Sequence, residues 1–142
     1  NMANIIPHSF RGELFSGTHD FSNGGNSFKI ALYTSNPYST SSTVYLTTNE
    51  VSASNTGYTT AGKVLASQAV ASSTAVASVD FADSALPSAT FTAAFAAIYN
   101  DTNSDKLCVV LDFGGNKTAT NGTFTISFPD PSTPANAIIS MA

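Results

Sequence analysis

Apolar residues in this chain recur mostly at every second position, in short runs broken by Asn, Gly, Ser and Pro. Phe28, Ile30 and Leu32 alternate with Lys29, Ala31 and Tyr33, which predicts a half-buried strand after a turn at Asn23-Gly24-Gly25-Asn26. Phe124, Ile126 and Phe128 alternate in the same way with Thr123, Thr125 and Ser127. Lys63–Val70 and Ala75–Phe81 form a strand pair, with Ala77, Val79 and Phe81 on one side. Phe91, Phe95 and Tyr99 mark a longer strand ending at Asn100, and Leu107–Phe113 reads as a central strand. Val44-Tyr45-Leu46 and Ala137–Met141 complete seven or eight short strands.

A helix is expected only once, over Phe10–Ser16. Ser9 would cap it, Phe10 and Leu14 would share a face, and Gly17 would end it. Residues 1–7 read as an arm with no element of its own, and residues 8–142 as one domain. Short strands at turn-punctuated spacing without interleaved helices predict an all-β, antiparallel, jelly-roll-like β-sandwich. Pro129, Pro131 and Pro134 would lie in a surface connection, and Ser35–Thr43 in a long polar loop.

Composition narrows the function classes. Charged residues make up only 10% of the 142, less than half the usual share, and Ser and Thr replace them. The five cations, Arg11, Lys29, Lys63, Lys106 and Lys117, are scattered singly in a chain of net charge −4, so no basic stripe exists for nucleic acid. No apolar run approaches the length of a membrane span, and no signal peptide opens the chain. The protein is therefore expected to work without export, membrane or nucleic acid.

Candidate chemistry is sparse. Cys108, the one cysteine, lies in the apolar run Leu107–Leu111 and reads as a buried small hydrophobe rather than a nucleophile. His8 and His19 lack a Cys or His partner at zinc-ligand spacing. Asp101-Thr102-Asn103-Ser104-Asp105 opens like a calcium loop, but Lys106 and Asp112 stand where the loop needs Gly and Glu, so a polar hairpin tip is expected. Asp80, Asp83 and Asp112 have no sequence feature pairing them for glycoside hydrolysis. Neither a nucleophile elbow nor a phosphate-cradling glycine loop is present. The expectation is no enzyme, no cofactor and no metal. Tyr33, Tyr38, Tyr45 and Tyr58 flank polar loops, where they suit a protein interface or, in the second place, stacking on sugars.

Three stretches are similar to a family of small proteins of tailed bacteriophages and prophages. They are Phe28–Ser35, Asn49–Ser52 running on to Thr56–Lys63, and a C-terminal set of Phe91–Asn100, Val110–Gly114 and Thr120–Ile126. Ala94-Phe95-Ala96 departs from the family by being apolar where Arg-Gly is expected. The resemblance implies a virion component. The expected station is the capsid surface, as a decoration or cement protein bound to the major capsid protein and self-associated as a dimer or trimer. On this reading Ile5, Ile6, Pro7, Phe10, Tyr38 and Tyr45 are the interface residues, and a chain lacking residues 1–7 should fold but not decorate. A neck, tail or fibre component with glycan-binding loops at Tyr38 and Tyr45 is the alternative.

Overall fold

The computed structural model describes residues 4–72, 75–128 and 139–141. The elements run α1 (His8–Phe15), β1 (Phe28–Tyr33), β2 (Lys63–Val64), β3 (Ala69–Ser72), β4 (Ala77–Asp80), β5 (Ser84–Asn100), β6 (Lys106–Ile126) and β7 (Ile139–Met141). They form two antiparallel sheets, ordered β2-β1-β5-β6 and β3-β4-β7. Over the described residues the chain is thus all-β with one short helix, as its periodicity predicts. The proline segment at Pro129, Pro131 and Pro134 lies outside the described residues.

Helix α1 starts two residues earlier than expected and is not capped by Ser9. Pro7, in extended conformation, precedes it without a side-chain cap. Ser9 Oγ instead reaches the Ser42 carbonyl at 3.5 Å. The end is as expected: Gly17 follows in the left-handed region at φ 72° and donates to Leu14 O at 3.2 Å. Phe10 and Leu14 both face the larger core cluster.

Strand β1 corrects the half-buried expectation, because both its faces are covered. Phe28, Ile30 and Leu32 enter a cluster that also takes Val79 and Ile139 from the second sheet. Ala31 and Tyr33 enter a second cluster on the opposite face with Tyr38, Tyr99, Leu107 and Val110. The second face is roofed by irregular chain rather than by a sheet, since Tyr45 and Leu46 pack onto it. Only Lys29 of this strand escapes full burial.

Strands β5 and β6 are 17 and 21 residues long, far beyond the usual five or six. Sequence reading starts the first only at Phe91 and divides the second into Leu107–Phe113 and a run around Phe124–Phe128, whereas the fold absorbs the intervening positions as bulges. Between the pairs Ala93↔Lys117 and Phe95↔Asp112, β6 gains three residues, which include Gly114 (φ 77°) and Gly115 (φ 144°). The expected strand Lys63–Val70 does the opposite and breaks in two around Ser67, which has φ 55°. Val44-Tyr45-Leu46 is reduced to a single bridge, Val44↔Lys106.

Gly62 sets how closely β2 approaches β1. Its φ is +88°, and a Cβ there would meet the Ile30 carbonyl oxygen at 2.0 Å. Gly62→Ala is expected to destabilise by about 2–3 kcal/mol, combining left-handed strain with a clash that short, exposed β2 relieves by backing away. Urea unfolding of the variant checks this; a loss under about 0.5 kcal/mol, the size of an ordinary surface change, would contradict the close approach.

Candidate functional site

The most connected polar constellation lies where the long loop after β1 folds back on the sheet. Between Lys29 and Lys63 the only charged residue is Glu50. Its carboxylate accepts from Tyr45 and Tyr58 hydroxyls, each at 2.5 Å, and from the Ala61 N–H at 2.8 Å. The Tyr58 oxygen in turn accepts the Leu32 N–H at 3.1 Å, which ties the loop to β1. Next to this, the Tyr33 and Tyr38 hydroxyls meet at 2.5 Å; Tyr33 donates to Leu46 O at 2.7 Å and Tyr38 accepts from Leu46 N–H at 2.9 Å. Tyr99 donates to Ala61 O and its ring stacks on Tyr45 at 4.7 Å between centroids. Tyr45, Tyr58 and Tyr99 therefore gather around one carboxylate, with the Tyr33–Tyr38 pair on the Leu46 backbone beside them.

Burial is the main reason these phenols hold their protons. It pushes Tyr33, Tyr38, Tyr45, Tyr58 and Tyr99 above the ordinary tyrosine value. For Tyr45 and Tyr58 the hydrogen bond to Glu50 comes next, and for Tyr99 the charges of Asp105 and Asp101. Neutral phenols donating to carboxylate and carbonyl oxygens make a latch, not an acid–base pair.

A second polar node sits behind α1. Asn100, fully buried at the end of β5, accepts on Oδ1 from the backbone N–H groups of Thr102 and Asn103, at 3.1 and 3.2 Å. Those two bonds fix which way its amide points. Its Nδ2 then donates to His19 Nδ1 at 3.0 Å, leaving His19 Nε2–H to donate to Glu13 Oε1 at 2.9 Å. Cys108 Sγ lies 3.7 Å from the same Nδ1, so thiol, imidazole and carboxylate stand in the order of a cysteine triad. The chemistry does not follow the order. His19 Nδ1 already accepts from Asn100, and burial, followed by the Glu13 charge, pushes the Cys108 thiol well above its ordinary value. The residues Asp101–Asp105 form the turn between β5 and β6 that Asn100 organises.

The residues expected at an interface divide in two. Ile5, Tyr38 and Tyr45 come together on the roofed face of the first sheet, while Ile6 and Phe10 pack into the other cluster. Phe10 is 1% exposed and Tyr38 6%, so both are core residues, and the Tyr38 hydroxyl and ring offer no sugar-stacking platform. The arm reading fails over residues 4–7. Ile5 exchanges two backbone hydrogen bonds with Val110, at 2.9 and 2.8 Å, and Pro7 is buried. A strand edge with unpaired backbone groups takes up the nearest extended chain, and here that chain is the segment just before α1. Removing residues 1–7 thus strips cover from β6 as well as any contact with a neighbour.

Sequence reasoning missed Glu50, Asn100 and His19 as organising residues. Glu50 alone left a signal, as the solitary carboxylate of a tyrosine-rich, otherwise uncharged stretch. Among the described residues no helix is long and apolar enough to cross a membrane, and no three His, Cys, Asp or Glu side chains gather as metal ligands. Searches of protein-family models, curated proteins and solved structures find no match to the chain.

Proposed function

We propose that this chain is a structural protein of a tailed-bacteriophage virion, seated on the capsid surface as a decoration protein. The observation that carries the reading is the division between polar interior and bland exterior. Tyrosine hydroxyls, Glu50, His19 and Asn100 hold the chain to itself. The surface is left with few charges and with the large apolar side chains Phe15, Val44, Val64 and Val70, of which Phe15 is 90% exposed. Such a surface binds by contact area rather than by charge steering. The similarity of Phe28–Ser35, Thr56–Lys63 and Phe91–Asn100 to small phage proteins supports the same reading.

In this proposal the two sheets form a β-sandwich wound as a jelly roll, and the partners are the major capsid protein and other copies of the chain. Stabilisation works by mass action, because a protein that binds only the assembled shell favours that shell. Many symmetric copies allow each contact to be weak. Quantitative mass spectrometry of purified virions tests the station. A copy number comparable to the major capsid protein is expected. A few copies per particle would move the protein to the neck, tail or fibre, and absence from the particle would overturn the reading.

A further inference from the structure

The inner face of the second sheet is not covered over its whole width. Val70, Val79 and Ile139 stand side by side across that sheet, because β4 pairs Val79 with Val70 of β3 and with Ile139 of β7. Cross-strand partners share a face, and Val79 and Ile139 turn this one toward the larger core cluster. Burial along the row ends abruptly. Ile139 and Val79 are 7% and 8% exposed, whereas Val70, on the same side, is 56% exposed. An apolar side chain on the inner face of a sheet stays open only where the layer facing it is incomplete.

The gap is a cleft of about 460 Å³. Its apolar lining comes from Val70, Ala77, Val79 and Ile139 on the sheet and from Leu14 of α1 and Phe21 outside it. Both sides are fixed in place. The Phe21 ring stacks on Phe28 at 4.3 Å between centroids. Gln68, just before β3, donates from Nε2 to Ser22 O and Asn26 O at 2.9 and 2.8 Å, which ties the loop carrying Phe21 to the sheet. His19 also lines the cleft, but its ring nitrogens are engaged by Asn100 and Glu13. Among the described lining residues Asp20 alone carries a charge. Its Oδ1 accepts from the Ser22 hydroxyl at 2.6 Å and the Ser22 N–H at 3.0 Å, bonds that hold the carboxyl below its ordinary value. Among the described residues nothing donates to its Oδ2.

We propose that this cleft binds a small apolar cation, a protonated amine carried on an aromatic or aliphatic body. Its volume and its mostly apolar lining are those of a site for a small organic molecule. The body of the ligand displaces water from six apolar side chains, a gain that scales with the apolar area covered. The ammonium donates to the open oxygen of Asp20, a charge-assisted bond that a neutral ligand makes less well. Charge also excludes the opposite class. A carboxylate or phosphate in the same place would face Asp20 with no cation in the described lining to offset it.

The site stands apart from the virion reading, because it concerns the free protein. The chain has no tryptophan, so the emission of an indole ligand is read without an indole of the protein's own. Fluorescence titration of the full chain compares tryptamine, tryptophol and indole-3-propionate, which share ring and linker and differ in charge. Tryptamine should bind roughly threefold tighter than indole-3-propionate or better, as attraction and repulsion at one exposed carboxylate require, with tryptophol between them. Asp20→Asn keeps an acceptor for Ser22 and should erase that ranking while tryptophol still binds. Val70→Phe fills the cleft from a half-exposed position and should weaken all three ligands with the circular dichroism unchanged. Ala77→Leu, at an exposed position of the same lining, should do the same should Val70→Phe disturb the sheet. No saturable tryptamine binding tighter than about 1 mM, equal affinity for amine and acid, or binding indifferent to the filled cleft would overturn the proposal. None of these results changes the copy number in virions, so the two readings fail separately.

Discussion

Above pH 10 the folded protein is expected to lose stability steeply, with tyrosine ionisation and unfolding arriving as one event. Tyr33, Tyr38, Tyr58 and Tyr99 are each no more than 6% exposed, and burial raises all four above the ordinary value of 10.0. Below that value the folded and unfolded chains hold the same tyrosine protons, and these groups make stability independent of pH. Above it the unfolded chain sheds protons that the folded chain keeps, so stability falls as pH rises, until the folded-state values are reached. Each retained proton contributes a slope of about 1.4 kcal/mol per pH unit, and four give about 5 kcal/mol per unit. A domain of ordinary stability, about 5–15 kcal/mol, then unfolds within about one to three units. Half-buried Tyr45 adds less. Tyrosinate absorbance and far-ultraviolet circular dichroism should change together in one steep step. Gradual ionisation near pH 10 with the sheet signal intact would show the phenols to be open to water.

Glu50→Ala should be the most damaging single polar substitution of the loop, at about 3–5 kcal/mol. It leaves Tyr45 Oη–H, Tyr58 Oη–H and Ala61 N–H without their acceptor, at about 1–3 kcal/mol for each donor left buried and unpaired, less where water reaches half-exposed Tyr45. Through Tyr58 it also loosens the Leu32 N–H bond that ties loop to strand. Glu50→Gln keeps one acceptor oxygen and should cost less than half as much. Chemical denaturation of the two variants against wild type decides the matter. Equal effects, or both under about 0.5 kcal/mol, would mean that the tyrosines pack well without the carboxylate.

Much of the architecture is legible in the chain because it rests on local pattern. Period-two runs at Phe28–Tyr33 and Phe124–Ile126 become strands, and Gly17 ends a helix whose Phe10 and Leu14 share a face. Cys108 is buried as its apolar neighbours require. Local pattern is blind to what covers each face. Phe10 and Tyr38 carry the same aromatic signal whether they meet a partner or their own core, and the fold turns both inward.

What only the tertiary structure decided concerns partners far apart in sequence. Gly114-Gly115 follows the end of the expected strand Leu107–Phe113; pairing with β5 on both sides makes it a bulge within one long strand. Ile5 reads as a free arm until Val110, more than a hundred residues later, supplies an edge for it. Glu50 gains its role from tyrosines scattered between positions 45 and 99 that only the folded sheet gathers. Alternation and composition determine which residues avoid water, since each residue's transfer into an apolar interior is nearly independent of its neighbours. Hydrogen bonds and edge pairing need two partners at fixed distance and angle, and that geometry exists only once the chain has folded.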